Sequence, residues 1–219
     1  MSNASTAPPD ALLLLTSQCP HCPTVLQGLG ELVKKGLIGR LEVVNIAARP
    51  DIAEQYGVRT VPWFRLGEFE LEGLHSLAEL QQWAKRAVSP DGLAIYYTEL
   101  LKQGQLPKVL SSIHRHVKHI SALLDLAGDP DTELTVRIGV SAVIEDNTGS
   151  ELLQNQLPAL VQLARHADPR VRSDAAHFLA MSRSETALAE LEVLAQDTEP
   201  AVREVAKDCM EELKEHLER

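Results

Sequence analysis

Thr16-Ser17-Gln18-Cys19-Pro20-His21-Cys22-Pro23 follows the apolar run Ala11-Leu12-Leu13-Leu14-Leu15 and precedes Val25, Leu26, Leu29, Leu32 and Val33. The short apolar run reads as a buried strand over Ala11–Thr16. The spacing of three and four that follows predicts a helix from Pro20 to about Lys35, with Gly36 as its stop signal. The two cysteines therefore stand where a strand hands over to a helix. A thiol at a helix opening faces unpaired N–H groups and the positive end of the helix dipole, and both favour the thiolate. This makes Cys19 the nucleophile. Cys22, one turn further on, points into the fold as the resolving thiol. Two thiolates and His21 fall short of the four ligands of a structural zinc site, and no second C-x-x-C is present, so no metal is expected.

Working outward, Leu41–Ile46 is a second apolar strand, and Pro50–Tyr56 is a short helix closed by Gly57. Val61–Leu66 and Phe69–Leu71 are strands around a turn at Gly67-Glu68. A closing helix runs from Ser76 to about Val88, with Ser76 and Glu79 spaced as a capping box. The order β-α-β-α-β-β-α predicts an α/β sandwich with a mixed sheet. Ser89-Pro90-Asp91-Gly92 breaks the pattern and is read as a linker at 89–92.

A second landmark is Tyr56-Gly57-Val58-Arg59-Thr60-Val61-Pro62, which ends 40 positions after Cys22. Together with Cys19-Pro20-His21-Cys22, it resembles the thioredoxin superfamily over a domain at 8–88. With only about ten residues before the first strand, the domain is similar to the minimal, glutaredoxin-like version. The resemblance implies a thioredoxin-like fold with helices on both sheet faces and a thiol–disulfide oxidoreductase acting on protein disulfides. It implies that Cys19 attacks, Cys22 resolves and Pro62 is cis. It also implies that the Val61 backbone pairs with the client as an added strand. No cofactor is implied beyond the reversible Cys19–Cys22 disulfide. Thioredoxins carry Trp, Asp and Lys where this chain has Gln18, Leu13 and Val43, so proton handling at Cys22 differs. The tetrapeptide resembles that of DsbA-type thiol oxidases. Pro20 and His21 are then redox-tuning positions, His21 stabilising the thiolate and raising the potential. The stretch from Thr16 to Gln27 also looks like the redox domain that feeds electrons to peroxiredoxins in alkyl hydroperoxide reductase systems.

Beyond the linker the grammar changes. Gly92–Leu101 is a helix with Tyr96, Tyr97, Leu100 and Leu101 as contacts. Val109, Ile113, Val117, Ile120, Leu124 and Ala127 predict one long amphipathic helix from about Leu106 to Ala127. Leu160/Leu191, Leu163/Leu194, Ala164/Ala195, Pro169/Pro200, Val171/Val202, Arg172/Arg203 and Ala175/Ala206 then recur at an offset of 31. A fixed period of this size is the mark of a solenoid. Each unit reads helix, Asp-Pro or Glu-Pro turn, helix, with a looser copy from Asp129-Pro130 to Val136-Arg137. This resembles HEAT-type repeats over roughly 106–217, which sets an all-α α-solenoid domain at 93–219 and implies a protein-docking module.

The 219 residues are 44% apolar but only 4% aromatic, as suits a Leu/Ala/Val core. The net charge is −10 and unevenly spread: 9 acids and 8 bases to residue 88, then 22 acids and 13 bases. Such a chain is a poor phosphate binder, so no nucleic acid is expected. The longest apolar run is too short to span a bilayer, which argues against a membrane. No secretory signal is read, and a cytoplasmic location is expected. Residues 2–10 read as a disordered start. Cys209 reads as a small buried hydrophobe, and Arg172 and Arg203 as structural contacts between turns. Trp63 and Trp83 read as packing residues, and the histidines His114, His116 and His119 as solvated residues beside an apolar stripe. The expected partner is a protein client with a disulfide or reactive thiol, with a docking partner on the repeats. Two alternatives stand beside the enzyme: a repeat scaffold whose thiol pair switches binding, and an electron relay to a peroxiredoxin.

Overall fold

The computed structural model describes residues 7–218, and the chain divides into two compact units, 1–95 and 96–219. Part of the expected disordered start lies outside the described residues. Its last residues are tied down, which corrects that expectation for them. The Pro9 carbonyl accepts from the Gly39 N–H at 2.9 Å, and the Asp10 carbonyl from the Gly67 N–H at 2.9 Å.

The first unit runs β1 (Ala11–Leu15), α1 (Cys22–Lys34), β2 (Leu41–Asn45), α2 (Pro50–Tyr56), β3 (Trp63–Leu66), β4 (Phe69–Glu72) and α3 (Leu77–Arg86). This is the expected order. The sheet is mixed, in the order β2-β1-β3-β4. β1 pairs parallel with β2, Leu13 opposite Val43, and antiparallel with β3, Leu14 opposite Trp63. Strand side chains alternate between faces. Leu12, Leu14 and Trp63 therefore share one face, packed against Val44, Ile46, Val58 and, from α2, Ile52 and Tyr56. On the opposite face the Phe69 ring meets Trp83 of α3 with centroids 5.3 Å apart. α1 and α3 approach closely at Gly28, where a β-carbon would lie 2.5 Å from Leu80 Cδ1. α2 ends on Gly57 at φ 64°, a left-handed cap for which glycine carries no steric penalty. The expected capping box at Ser76 and Glu79 opens α3. Two side-chain expectations are corrected. Leu26 and Val33, assigned to the inner face of α1, are exposed, and Gly28 takes the inner position. β2 is an edge strand, with Val43 exposed.

α4 (Gly92–Lys102) spans the division between the units, and Tyr96, Tyr97, Leu100 and Leu101 are buried as expected. The single helix expected over 106–127 is broken. α5 (Leu106–Arg115) ends at His116, whose angles (φ −133°, ψ 74°) leave the helical region. A 3-10 turn over Val117–His119 leads into α6 (Ile120–Gly128). The break turns His119 inward, where its Nδ1 pairs with the Tyr97 hydroxyl at 2.9 Å. That hydroxyl also pairs with Ser112 Oγ at 2.9 Å. His119 is thus buried rather than solvated, and Val117 swings outward to 59% exposure.

The rest is helical: α7 (Leu134–Asp146), α8 (Glu151–Gln154), α9 (Leu157–Ala164), α10 (Pro169–Met181), α11 (Glu185–Leu194) and α12 (Pro200–Leu217). α8 was not anticipated. α7, α10 and α12 pack successively as one layer, with α6, α9 and α11 as the other. The matched positions Leu160/Leu191, Val171/Val202 and Ala175/Ala206 are fully buried, so the 31-residue repeat is the repeat of the core. Pro169 and Pro200 open α10 and α12 at the first-turn position, where no N–H is required. The looser copy differs: α7 opens four residues after Pro130.

Candidate active site

The loop from Thr16 to His21 joins the end of β1 to α1, which begins at Cys22 rather than at Pro20. Cys19 and Cys22 form a disulfide with Cα atoms 5.5 Å apart. The Cys22 backbone N–H donates to Cys19 Sγ at 3.1 Å. A donor at the helix opening therefore aims at the outer sulfur, the arrangement that favours negative charge there. The two sulfurs are not equivalent. Cys22 is buried, Cys19 is half-buried, and Pro20 and His21 are exposed. Leu13, in the strand before the loop, is fully buried, so an apolar side chain stands at that interior position.

The Val61–Pro62 peptide bond is cis. Because Leu14 opposes Trp63, the entrance to β3 lies at the same sheet end as the loop after β1. The Pro62 carbonyl accepts from the Gly73 N–H at 2.8 Å, extending the β3–β4 ladder by one rung. One residue earlier the ladder stops: among the described residues, neither the Val61 N–H nor its carbonyl has a hydrogen-bond partner. Trp63 is a packing residue, 3% exposed and 5.3 Å from the Tyr56 ring.

One residue near the site went unforeseen. Asn45, at the end of β2, donates from Nδ2 to Ser17 Oγ at 3.2 Å and accepts from the Ala47 N–H at 3.0 Å. It links the edge strand to the loop two residues before Cys19. The pair is 28 residues apart, and no local pattern announces it.

Elsewhere, Cys209 is buried in α12, 3.4 Å from His177 Nδ1, and burial pushes its thiol up to about 11. Arg172 and Arg203 are structural, as read. Arg172 reaches back to the carbonyls of His166 and Ala167, both at 2.9 Å, and forward to Asp197. Arg203 reaches back to the carbonyls of Asp197 and Thr198. Among the described residues no group of three or more His, Cys, Asp or Glu is placed to hold a metal ion. Nor is any helix there long and apolar enough to cross a membrane.

A four-stranded mixed sheet flanked by helices, with a C-x-x-C at the opening of α1 and a cis-proline entering β3, defines a thioredoxin-like domain, and the stacked pairs define a helical-repeat solenoid. Comparison with known families agrees: the Thioredoxin domain family matches residues 11–85, and the HEAT repeats family matches residues 120–211. The chain joins a thioredoxin domain to HEAT repeats. No curated protein matches it.

Proposed function

We propose that the protein is a thiol–disulfide oxidoreductase acting on protein disulfides, with the HEAT repeats as its protein-docking module. The observation that carries this reading is the asymmetric sulfur pair: a half-buried Cys19 that accepts the Cys22 N–H, bonded to a buried Cys22.

In the reduced protein the Cys19 thiolate attacks one sulfur of a client disulfide. The client S–S bond breaks, a Cys19–client bond forms, and the first client sulfur leaves as a thiolate that takes a proton from solvent. Cys22 then loses its proton and attacks Cys19 Sγ, releasing the second client thiol. Two electrons pass to the client, and the Cys19–Cys22 disulfide is re-reduced by another dithiol system. The unpartnered Val61 N–H and carbonyl would pair with the client backbone as an added strand, with Pro62 beside it. Exposed His21 adds positive character near Cys19 and, with Pro20, tunes the potential. No organic cofactor or metal enters these steps. A cytoplasmic setting, where a comparatively oxidising dithiol stays reduced, suits a reductant or isomerase role.

Equilibrating the Cys19/Cys22 pair with a glutathione buffer places it on the oxidant–reductant scale. A Cys22→Ser variant should hold clients as mixed disulfides through Cys19. If it captures nothing while binding by the repeats is indifferent to Cys19→Ser, the enzyme reading fails in favour of a non-enzymatic scaffold. Support of peroxide turnover by the reduced protein would instead point to the peroxiredoxin relay.

A further inference from the structure

We propose that the α7–α10–α12 face of the repeats is a groove for a basic, amphipathic segment of a partner protein. The inference deepens the docking reading above and rests on it.

Two apolar side chains on this face are uncovered. Leu134 is 73% exposed and Ile138 is 61% exposed, one turn apart on α7. They border a depression of about 330 Å³ that continues along Ser141, Ala142 and Glu145 and is closed on the α10 side by Asp174. Glu145 also borders a second cavity of about 430 Å³, which runs between the ends of α7 and α10 to Glu212 and Glu215 of α12. The two depressions meet at Glu145, which lines both, and are taken together as one trough.

The charge in the trough is set by what is paired there. Asp174 is bound to Arg137 across the α7–α10 contact. Among the described residues, the carboxylates of Glu145, Glu212 and Glu215 have no ion-pair or hydrogen-bond partner. On the same repeats, Arg172 and Arg165 are engaged with Asp197 and Glu190. Among the described residues lining the two depressions, Arg183 is the cation without a carboxylate partner, against three free carboxylates. One end therefore offers apolar surface and the other unbalanced negative charge. An occupant that satisfies both carries one or two apolar anchors over Leu134 and Ile138, with Lys or Arg following toward Glu145, Glu212 and Glu215. A neutral apolar helix would bury the carboxylates unpaired, and an acidic one would be repelled.

The test uses the full chain and a fluorescently labelled amphipathic peptide of Lys and Leu, read by anisotropy. Saturable binding is expected, weakened roughly tenfold or more by Glu145→Lys with Glu212→Lys, and likewise by Leu134→Asp with Ile138→Asp. Glu185→Lys with Glu192→Lys removes the same charge from α11 in the other layer and should leave binding nearly unchanged. Equal binding of a Lys/Ser peptide, or equal weakening by the α11 pair, would reduce the effect to the overall charge of the domain and overturn the proposal. Sedimentation showing a dimer that Leu134→Asp dissolves would make the occupant a second copy and overturn it too. Reduction of a small generic disulfide is followed in the same variants. If the protein ignores the peptide while this reduction proceeds, the groove fails and the redox reading stands. If reduction is absent in the parent chain, the redox reading fails on its own account.

Discussion

The Cys22 N–H points at Cys19 Sγ from 3.1 Å, so the first free amide of α1 is directed at the outer sulfur of the pair. In the reduced protein the same donor is available to a Cys19 thiolate. Alkylation of the reduced protein near neutral pH should therefore begin at Cys19 and leave Cys22 for last. Mass mapping of a timed iodoacetamide reaction checks this, and equal labelling of the two thiols would contradict it.

His21 is exposed beside the pair and caps α1 without a side-chain bond. If its side chain tunes the pair as proposed, removing it should destabilise the thiolate form. His21→Gly is expected to lower the reduction potential by about 30 mV or more, a tenfold change in the equilibrium constant for a two-electron couple. Equilibration with glutathione reads the shift, and an unchanged or higher potential would remove His21 from the tuning role.

Cys209 provides an internal contrast. Its thiol is pushed up to about 11 by burial, with Glu212 and Asp208 adding to the effect. At pH 8 it should resist alkylation in the folded chain and react once denaturant unfolds it. Its folded value lies above the usual thiol range, so its contribution to stability is complete below that range and fades as pH rises toward 11. Reaction as fast as that of Cys19 in the native protein would refute the burial argument.

Arg172 grips Asp197 from Nε at 2.7 Å and Nη2 at 2.8 Å, with both side chains largely buried. The Arg172 hydrogen bond is the main reason that the Asp197 carboxyl lies below the usual range. Asp168, which caps α10, is held at about 2, chiefly by the Arg170 side chain. Both carboxylates ionise more readily folded than unfolded. The stability they add is present above about pH 4 and is lost as pH falls toward 2. Asp197→Ala leaves Arg172 buried without its carboxylate and should cost on the order of 3 kcal/mol in denaturant unfolding. A loss under about 0.5 kcal/mol would mean that the pair is incidental.

At the α1–α3 contact a larger residue at position 28 would force the end of the buried Leu80 side chain to move. Gly28→Val should destabilise the thioredoxin unit by about 1–3 kcal/mol through overpacking against Leu80, while a matching change at Gly30, which has open space, should not. Thermal unfolding of the two variants makes the comparison.

Much of this architecture is written in local patterns. The order of strands and helices in the first unit, the C-x-x-C before α1, the glycine closing α2 and the repeat beginning at Leu157 are each carried by neighbouring residues. Other features depend on residues far apart in the chain. The stripe from Val109 to Ala127 has perfect helical spacing, yet the chain turns at His116 and His119 meets Tyr97, 22 residues earlier. Periodicity also records which positions are apolar but not what covers them. Leu26 and Val33 keep helical spacing and remain outside, whereas Gly28 is inside because α3 comes close. At the site, the cysteines could be read from the motif, and the cis bond at Pro62 from the resemblance. The Asn45–Ser17 bond could not, since only the parallel pairing of β1 and β2 brings those residues together.

The guanidinium of Arg172 reaches one turn ahead, to Asp197, and no further, just as Arg137 reaches Asp174. These ion pairs thus rivet neighbouring links of the solenoid to one another. Appending another helix pair after α12 would require its turn to bring an acid to Arg203, whose Nη1 now holds only main-chain oxygens. Without one, the extension would lack the charged clasp that Arg172 gives the link before it and would be the first to peel away.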